Sequence, residues 1–192
     1  MRFKDFILYE GAYNNLRGCR YWGDAGSGVL PLCRTTGRFM ANHRGAMVNE
    51  GGTWGIFGGG IFLRQYQGIE CTDQLEQTKI PEEHAKEELR EESGYKGPIE
   101  MHLVYTYRDN SMGPRGLPCA FYYWNYVGIV PQEFGVNPEA DSAWEEGGQS
   151  GWKTFEELEA VEPKHFGLKF LLENAGPKIK SLGEAVCRRK VG

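Results

Sequence analysis

A single α/β domain is what this sequence predicts, on three observations. Runs rich in aromatic and β-branched residues at 100–107 and 120–130, and two further runs around Thr35-Thr36-Gly37, read as strands. The stretch Pro81 to Tyr95, PEEHAKEELREESGY, reads as a helix closed by Gly94, and apolar spacing from Pro163 to Arg189 gives more helical packing at the end. The chain has 192 residues, 40% of them hydrophobic, which suits one substantial core, and no Ser- or Pro-rich linker divides it.

In chain order, residues 1–26 form an N-terminal extension whose Phe, Tyr and Trp content predicts packing against the fold or a second subunit. Gly23-Asp24-Ala25-Gly26-Ser27-Gly28 looks like a phosphate loop, yet it runs into a strand containing Pro31, whereas phosphate cradles open a helix; it reads as a turn. Strands then follow at 28–33 and 38–44. Gly58-Gly59-Gly60 lacks the Lys-Ser/Thr of a Walker loop, so its expected role is close backbone approach to the acidic helix. Residues 61–80 form a long loop, a length that signals function or disorder. Beyond the helix and strands at 81–130 come Glu145 to Trp152 and a short helical run at Phe155 to Leu158. The segment 163–190 carries apolar Phe166, Phe170, Leu171, Ile179, Leu182 and Val186, with a break expected at Gly176-Pro177.

The acidic helix carries the chemistry. At about 100° per residue, Glu88, Glu91 and Glu92 fall at i, i+3 and i+4 on one arc beside apolar Ala85 and Leu89. Like charges at these spacings repel by a few tenths of a kcal/mol per pair, and the helix dipole disfavours anions in the last turn. Oxygen ligands on one face suit Mg²⁺ or Mn²⁺, which would convert that repulsion into coordination energy. The competing reading is a solvated acidic face.

The flanking residues favour the metal. Gly52-Thr53-Trp54-Gly55-Ile56-Phe57-Gly58-Gly59-Gly60 precedes the helix, and Glu88-Leu89-Arg90-Glu91-Glu92-Ser93-Gly94-Tyr95 fits the E-U-x-E-E-x-G-U half of the box G-x5-E-x7-R-E-U-x-E-E-x-G-U. In this the chain resembles the Nudix hydrolase family over roughly residues 27–160. The resemblance implies an α/β/α sandwich with a mixed sheet and hydrolysis of a phosphoanhydride in a nucleoside diphosphate linked to another group. It further implies Mg²⁺ or Mn²⁺ held by Glu88, Glu91 and Glu92 with a Gly59 backbone oxygen. Glu91, Glu92 and the loop residue Glu146 are the implied catalytic carboxylates, and Arg44 the implied substrate-phosphate ligand.

Two positions depart from the box: Glu87 stands where it has Arg, and Lys79 where it has the first Glu. Two readings stay open, an ion pair with its signs exchanged and the loss of an Arg that steadies the glutamates. Residues 61–80 carry about a dozen more residues than the family spacing. Glu70 or Glu76 within them is a candidate replacement for the box glutamate. The alternative function is therefore a catalytically weak or inactive nucleotide-binding or regulatory module on the same fold.

Other features exclude classes. The formal charge is −4, with basic residues dispersed, so a small nucleotide and no long nucleic acid is the expected partner. The run Phe6-Ile7-Leu8-Tyr9 is far below membrane-spanning or signal length, so no membrane is expected and a cytoplasmic location is. Cysteines 19, 33, 71, 119 and 187 have no CxxC spacing and read as reduced core thiols. His84, one turn before Glu88, has no assigned role. Of Tyr122, Tyr123, Trp124 and Tyr126, strand alternation lets at most one or two touch a base. Many members of the family dimerise, and a homodimer is open to this chain.

Overall fold

The computed structural model describes residues 23–46, 50–110, 119–137 and 150–188. Its strands are β1 (Ala25–Cys33), β2 (Phe39–His43), β3 (Trp54–Gly55), β4 (Phe57–Ile61), β5 (Glu100–Asp109), β6 (Phe121–Val130) and β7 (Gly151–Lys153). Its helices are α1 (Ile80–Ser93), α2 (Phe155–Ala160) and α3 (Phe166–Arg188), with 3₁₀ turns at Leu63–Gln65 and Thr72–Gln77.

The seven strands form one mixed sheet ordered β3-β2-β1-β6-β5, with β4 also on β1 and β7 on β2. β1 is its hub, buried along its whole length and parallel to β6 from Gly26↔Tyr123 to Cys33↔Val130. On its other edge β4 pairs antiparallel as far as Val29↔Phe57, and β2 takes over at Leu32↔Phe39. Pro31 lies in the gap between the two partners, a position where a central strand tolerates a residue without an N–H.

Each face of the sheet buries its own cluster. Against α1 and the 61–80 loop lie Val29, Met40, Phe57, Ile61, Leu75, Ala85, Leu89 and Trp124. Against α2 and α3 lie Leu30, Leu32, Phe39, Ile56, Val127, Leu168, Leu171 and Ile179. The expected α/β/α sandwich with a mixed sheet is the observed architecture.

Three sequence expectations are corrected. β1 starts at Ala25, so the glycine stretch read as a turn is largely strand; Gly23, at φ 83°, supplies the bend instead. α3 runs unbroken through Gly176-Pro177. An interior proline costs about 3 kcal/mol, but burial of Leu168, Leu171, Ile179 and Val186 on both sides of it exceeds that, at roughly 1.5–3 kcal/mol per large side chain. Finally, Cys71 and Cys119 form a disulfide with Cα atoms 5.8 Å apart, where only reduced thiols were expected. The 48-residue separation carries no local signature, and the pairing exists because Thr72 Oγ1 donates to the Ala120 carbonyl and holds the loop against the start of β6. Such bridges persist in oxidising compartments, which weighs against the reduced state expected from the sequence. No helix among the described residues is long and apolar enough to cross a membrane.

Candidate active site

Pro81 in the first turn, Glu82 and Glu83 at the positive end of the dipole and Gly94 at φ 74° start and stop α1 where the sequence predicts. Ala85 and Leu89 anchor it on the sheet, and this seats the glutamates at the edge of the buried face.

The glutamates meet different surroundings. Glu88 lies against β4: a Cβ added to Gly59 would stand 2.6 Å from its carboxylate carbon and both oxygens, so only glycine leaves room there. Its Oε1 is 3.3 Å from His84 Nε2, and His84 Nδ1 is 3.1 Å from Ser27 Oγ on β1. Burial, which outweighs its bond to the Gly60 carbonyl and the charge of Glu87, holds the His84 pKa down to about 4. The ring is therefore neutral, with one N–H and one acceptor nitrogen set between Glu88 and Ser27. Glu92 is only 2% exposed, and its Oε2 accepts from Asn42 Nδ2 at 3.1 Å. The remaining Asn42 oxygen is buried without a hydrogen-bond partner. Glu91 is more open, with Oε1 3.7 Å from Arg90.

Glu87 bonds Arg90 Nε at 3.0 Å. It stands eight positions from Lys79, about 12 Å along the helix axis, so the sign-exchanged pair considered from the sequence is replaced by an i,i+3 pair within α1. Among the described residues, no three His, Cys, Asp or Glu side chains stand as a ready metal cage, so the arc on the helix is not a closed ligand set. Glu70 and Glu76 are exposed, and neither completes one. The 61–80 loop nonetheless borders the site, because burial and then the Glu88 charge raise the Tyr66 phenol.

Hard oxygen donors do fit a divalent cation at this place. Glu88 occupies the space of a missing Cβ, and beside Glu92 the orphaned Asn42 oxygen is the kind of acceptor a cation satisfies.

Arg44, just beyond β2, packs near Gly55 and His165. Its positive charge opposes His165 protonation and partly offsets the Tyr123 shift; burial first, then Glu92 and Glu88, push that phenol upward. Arg44, Tyr123 and two glutamates thus share one electrostatic neighbourhood. Glu146 lies outside the described residues. Asn42 and Ser27 were missed as site residues, and Tyr123 was named only among four aromatics of which one or two could touch a base; the local signal for Asn42 was a polar side chain inside the apolar run Phe39-Met40-Ala41-Asn42.

No protein-family model matches the sequence, and comparison with curated proteins finds no relative. Solved structures do match. RenU, a Nudix hydrolase from M. smegmatis, superposes with a TM-score of 0.56 at 18% identity, covering 82% of this chain and 87% of that one. The NUDIX domain of Shewanella oneidensis NrtR, solved with ADP ribose, gives 0.55 at 14% identity over 93% and 99%. A MutT protein from Methanosarcina mazei Go1 gives 0.54 at 13% over 84% and 98%. At such identities the likeness establishes the fold, which is that of the Nudix hydrolases.

Proposed function

We propose that the chain is a Mg²⁺- or Mn²⁺-dependent hydrolase that cleaves a phosphoanhydride bond in a nucleoside diphosphate linked to another group. The observation that carries this reading is the pairing of a helix carboxylate with a gap left for it. Glu88 fills the place of a Gly59 Cβ, while Glu92 is buried beside an Asn42 oxygen with no protein partner. Burying a carboxylate on the dipole-disfavoured last turn costs stability, and a cation offsets that cost.

Glu88, Glu91 and Glu92 would hold the ion, with the Gly59 carbonyl as a further oxygen. Once bound, such an ion neutralises diphosphate charge and lowers the pKa of an attacking water. Asn42 fixes the Glu92 carboxylate, and the Ser27–His84 chain fixes Glu88. Arg44 binds a substrate phosphate oxygen. Glu146 or Glu91 takes the proton from the attacking water.

Glu92→Gln should lower turnover of ADP-ribose with Mn²⁺ by about 100-fold or more, leaving the unfolding midpoint nearly unchanged. Turnover within threefold of wild type would overturn the assignment.

A second reading is favoured by Glu87, which replaces the box Arg and spends its charge on Arg90. It is a nucleotide-binding module without hydrolysis. Saturable nucleotide binding with no release of nucleoside monophosphate under either metal would select it.

A further inference from the structure

Strand register sets two cross-strand rows on the sheet face opposite α1. One row runs Tyr107, Tyr123, Gly26, Gly60, and the next runs Tyr105, Asn125, Gly28, Gly58. Residues directly paired across a sheet project to the same side, so half of this surface is aromatic or amide and half has no side chains.

The bare half is occupied by one ring. A Cβ on Gly26 would lie 2.6 Å from Tyr123 Cδ2, and one on Gly28 or Gly58 would lie 2.6 Å from its hydroxyl. The Tyr123 phenol is therefore laid flat over β1 as far as β4, and all three glycines are needed for it. Tyr123 as a whole is half-buried and packs against the core cluster under α3, and its cross-strand partner Tyr107 meets Phe170 of α3, 45% exposed, at a centroid distance of 5.9 Å.

Asn125 is 3% exposed in this platform. Its Nδ2 donates to the Tyr123 carbonyl at 3.2 Å, which fixes the amide orientation. Oδ1 is left as an acceptor with no hydrogen-bond partner. A buried unsatisfied acceptor beside stacking surfaces calls for a flat ligand that brings one N–H.

We propose that this face is the base subsite: the ring of an amino-purine stacks on Tyr123 and Phe170, and its exocyclic amino group donates to Asn125 Oδ1. The proposal rests on the nucleotide reading above and names the part of the substrate remote from the phosphates. It also assigns the aromatic strand, since Tyr122, Trp124 and Tyr126 pack on the α1 side and only Tyr123 of that group is offered to a base.

Calorimetric titration with MnCl₂ present compares ADP with purine riboside 5′-diphosphate, which stacks equally but has no amino group. ADP should bind about tenfold more tightly, since the analogue leaves the buried oxygen unpaired. In Asn125→Leu that difference should vanish. In Phe170→Ala, a change at an exposed position, both ligands should weaken together. Equal affinities in the wild-type chain, or a preference that survives Asn125→Leu, would overturn the subsite. ADP-ribose turnover without discrimination sinks the subsite but not the hydrolase. Discrimination without turnover does the reverse.

Discussion

Acid should destabilise this protein through one histidine more than its composition suggests. His165 Nδ1 accepts the Gly167 N–H at 3.1 Å at the start of α3. A proton on that nitrogen would face an N–H donor, the positive end of the helix dipole and the Arg44 charge. Burial first, and Arg44 second, hold the His165 pKa down to about 3. The Glu50 carboxylate, 3.7 Å from Nε2, pulls the other way, but it is 40% exposed and also accepts the Phe166 N–H.

The unfolded chain takes up this proton near pH 6.5 and the folded one near pH 3, so unfolding binds a proton between them. Stability is complete above about pH 6.5 and falls as pH drops toward 3. At pH 5 the deficit is about 1.5 pH units, or ~2 kcal/mol. His165→Asn keeps an acceptor for Gly167 without a titratable ring. Urea unfolding of both proteins at pH 7.5 and pH 5 should show the wild type losing ~2 kcal/mol more than the variant, since other groups cancel in the difference. Equal losses would refute the buried neutral imidazole.

Three further outcomes follow from the glycine strand and the bridge. Gly59→Ala should displace Glu88 and cut turnover by about 100-fold with little change in unfolding midpoint, because the crowded group is a side-chain end. Gly58→Ala meets the Ser27 carbonyl at 2.5 Å and the Gly28 Cα at 2.6 Å instead, and should cost about 1–3 kcal/mol of stability by urea unfolding. Equal stability of the two variants would contradict the placement of β4. Replacing Cys71 and Cys119 with Ser should cost about 4 kcal/mol for a 48-residue loop, and dithiothreitol should reproduce it in wild type. Full alkylation of both thiols without reductant would show that no bridge forms.

Where local chemistry dominates, the sequence was sufficient. α1 was legible because Pro81 and Gly94 punctuate it, and the β1–β2 turn because Gly37 takes φ 70°. Gly26 and Gly28 disguised the first half of β1, since glycine disfavours strands unless something fills the space, and Tyr123 arrives from 97 residues away. Pro177 read as a stop because a proline rule sees one residue, whereas the sheet holds the helix on both sides of it. The glutamates were found by their spacing. Their supports, Asn42 at 50 residues' remove and Ser27 at 57 from His84, are contacts that no window along the chain contains.

The hub position of β1 also bears on how the chain is made. Its N-terminal half pairs with β6 from Gly26↔Tyr123 to Val29↔Tyr126, 97 residues further on, so at ribosomal rates of 5–20 residues per second that edge waits roughly 5–20 s for its neighbour. An uncharged apolar strand left open that long invites pairing between nascent chains. Gly26, Gly28 and Pro31 are poor material for such aggregates, so the residues that admit a phenol in the finished protein also protect the unfinished one.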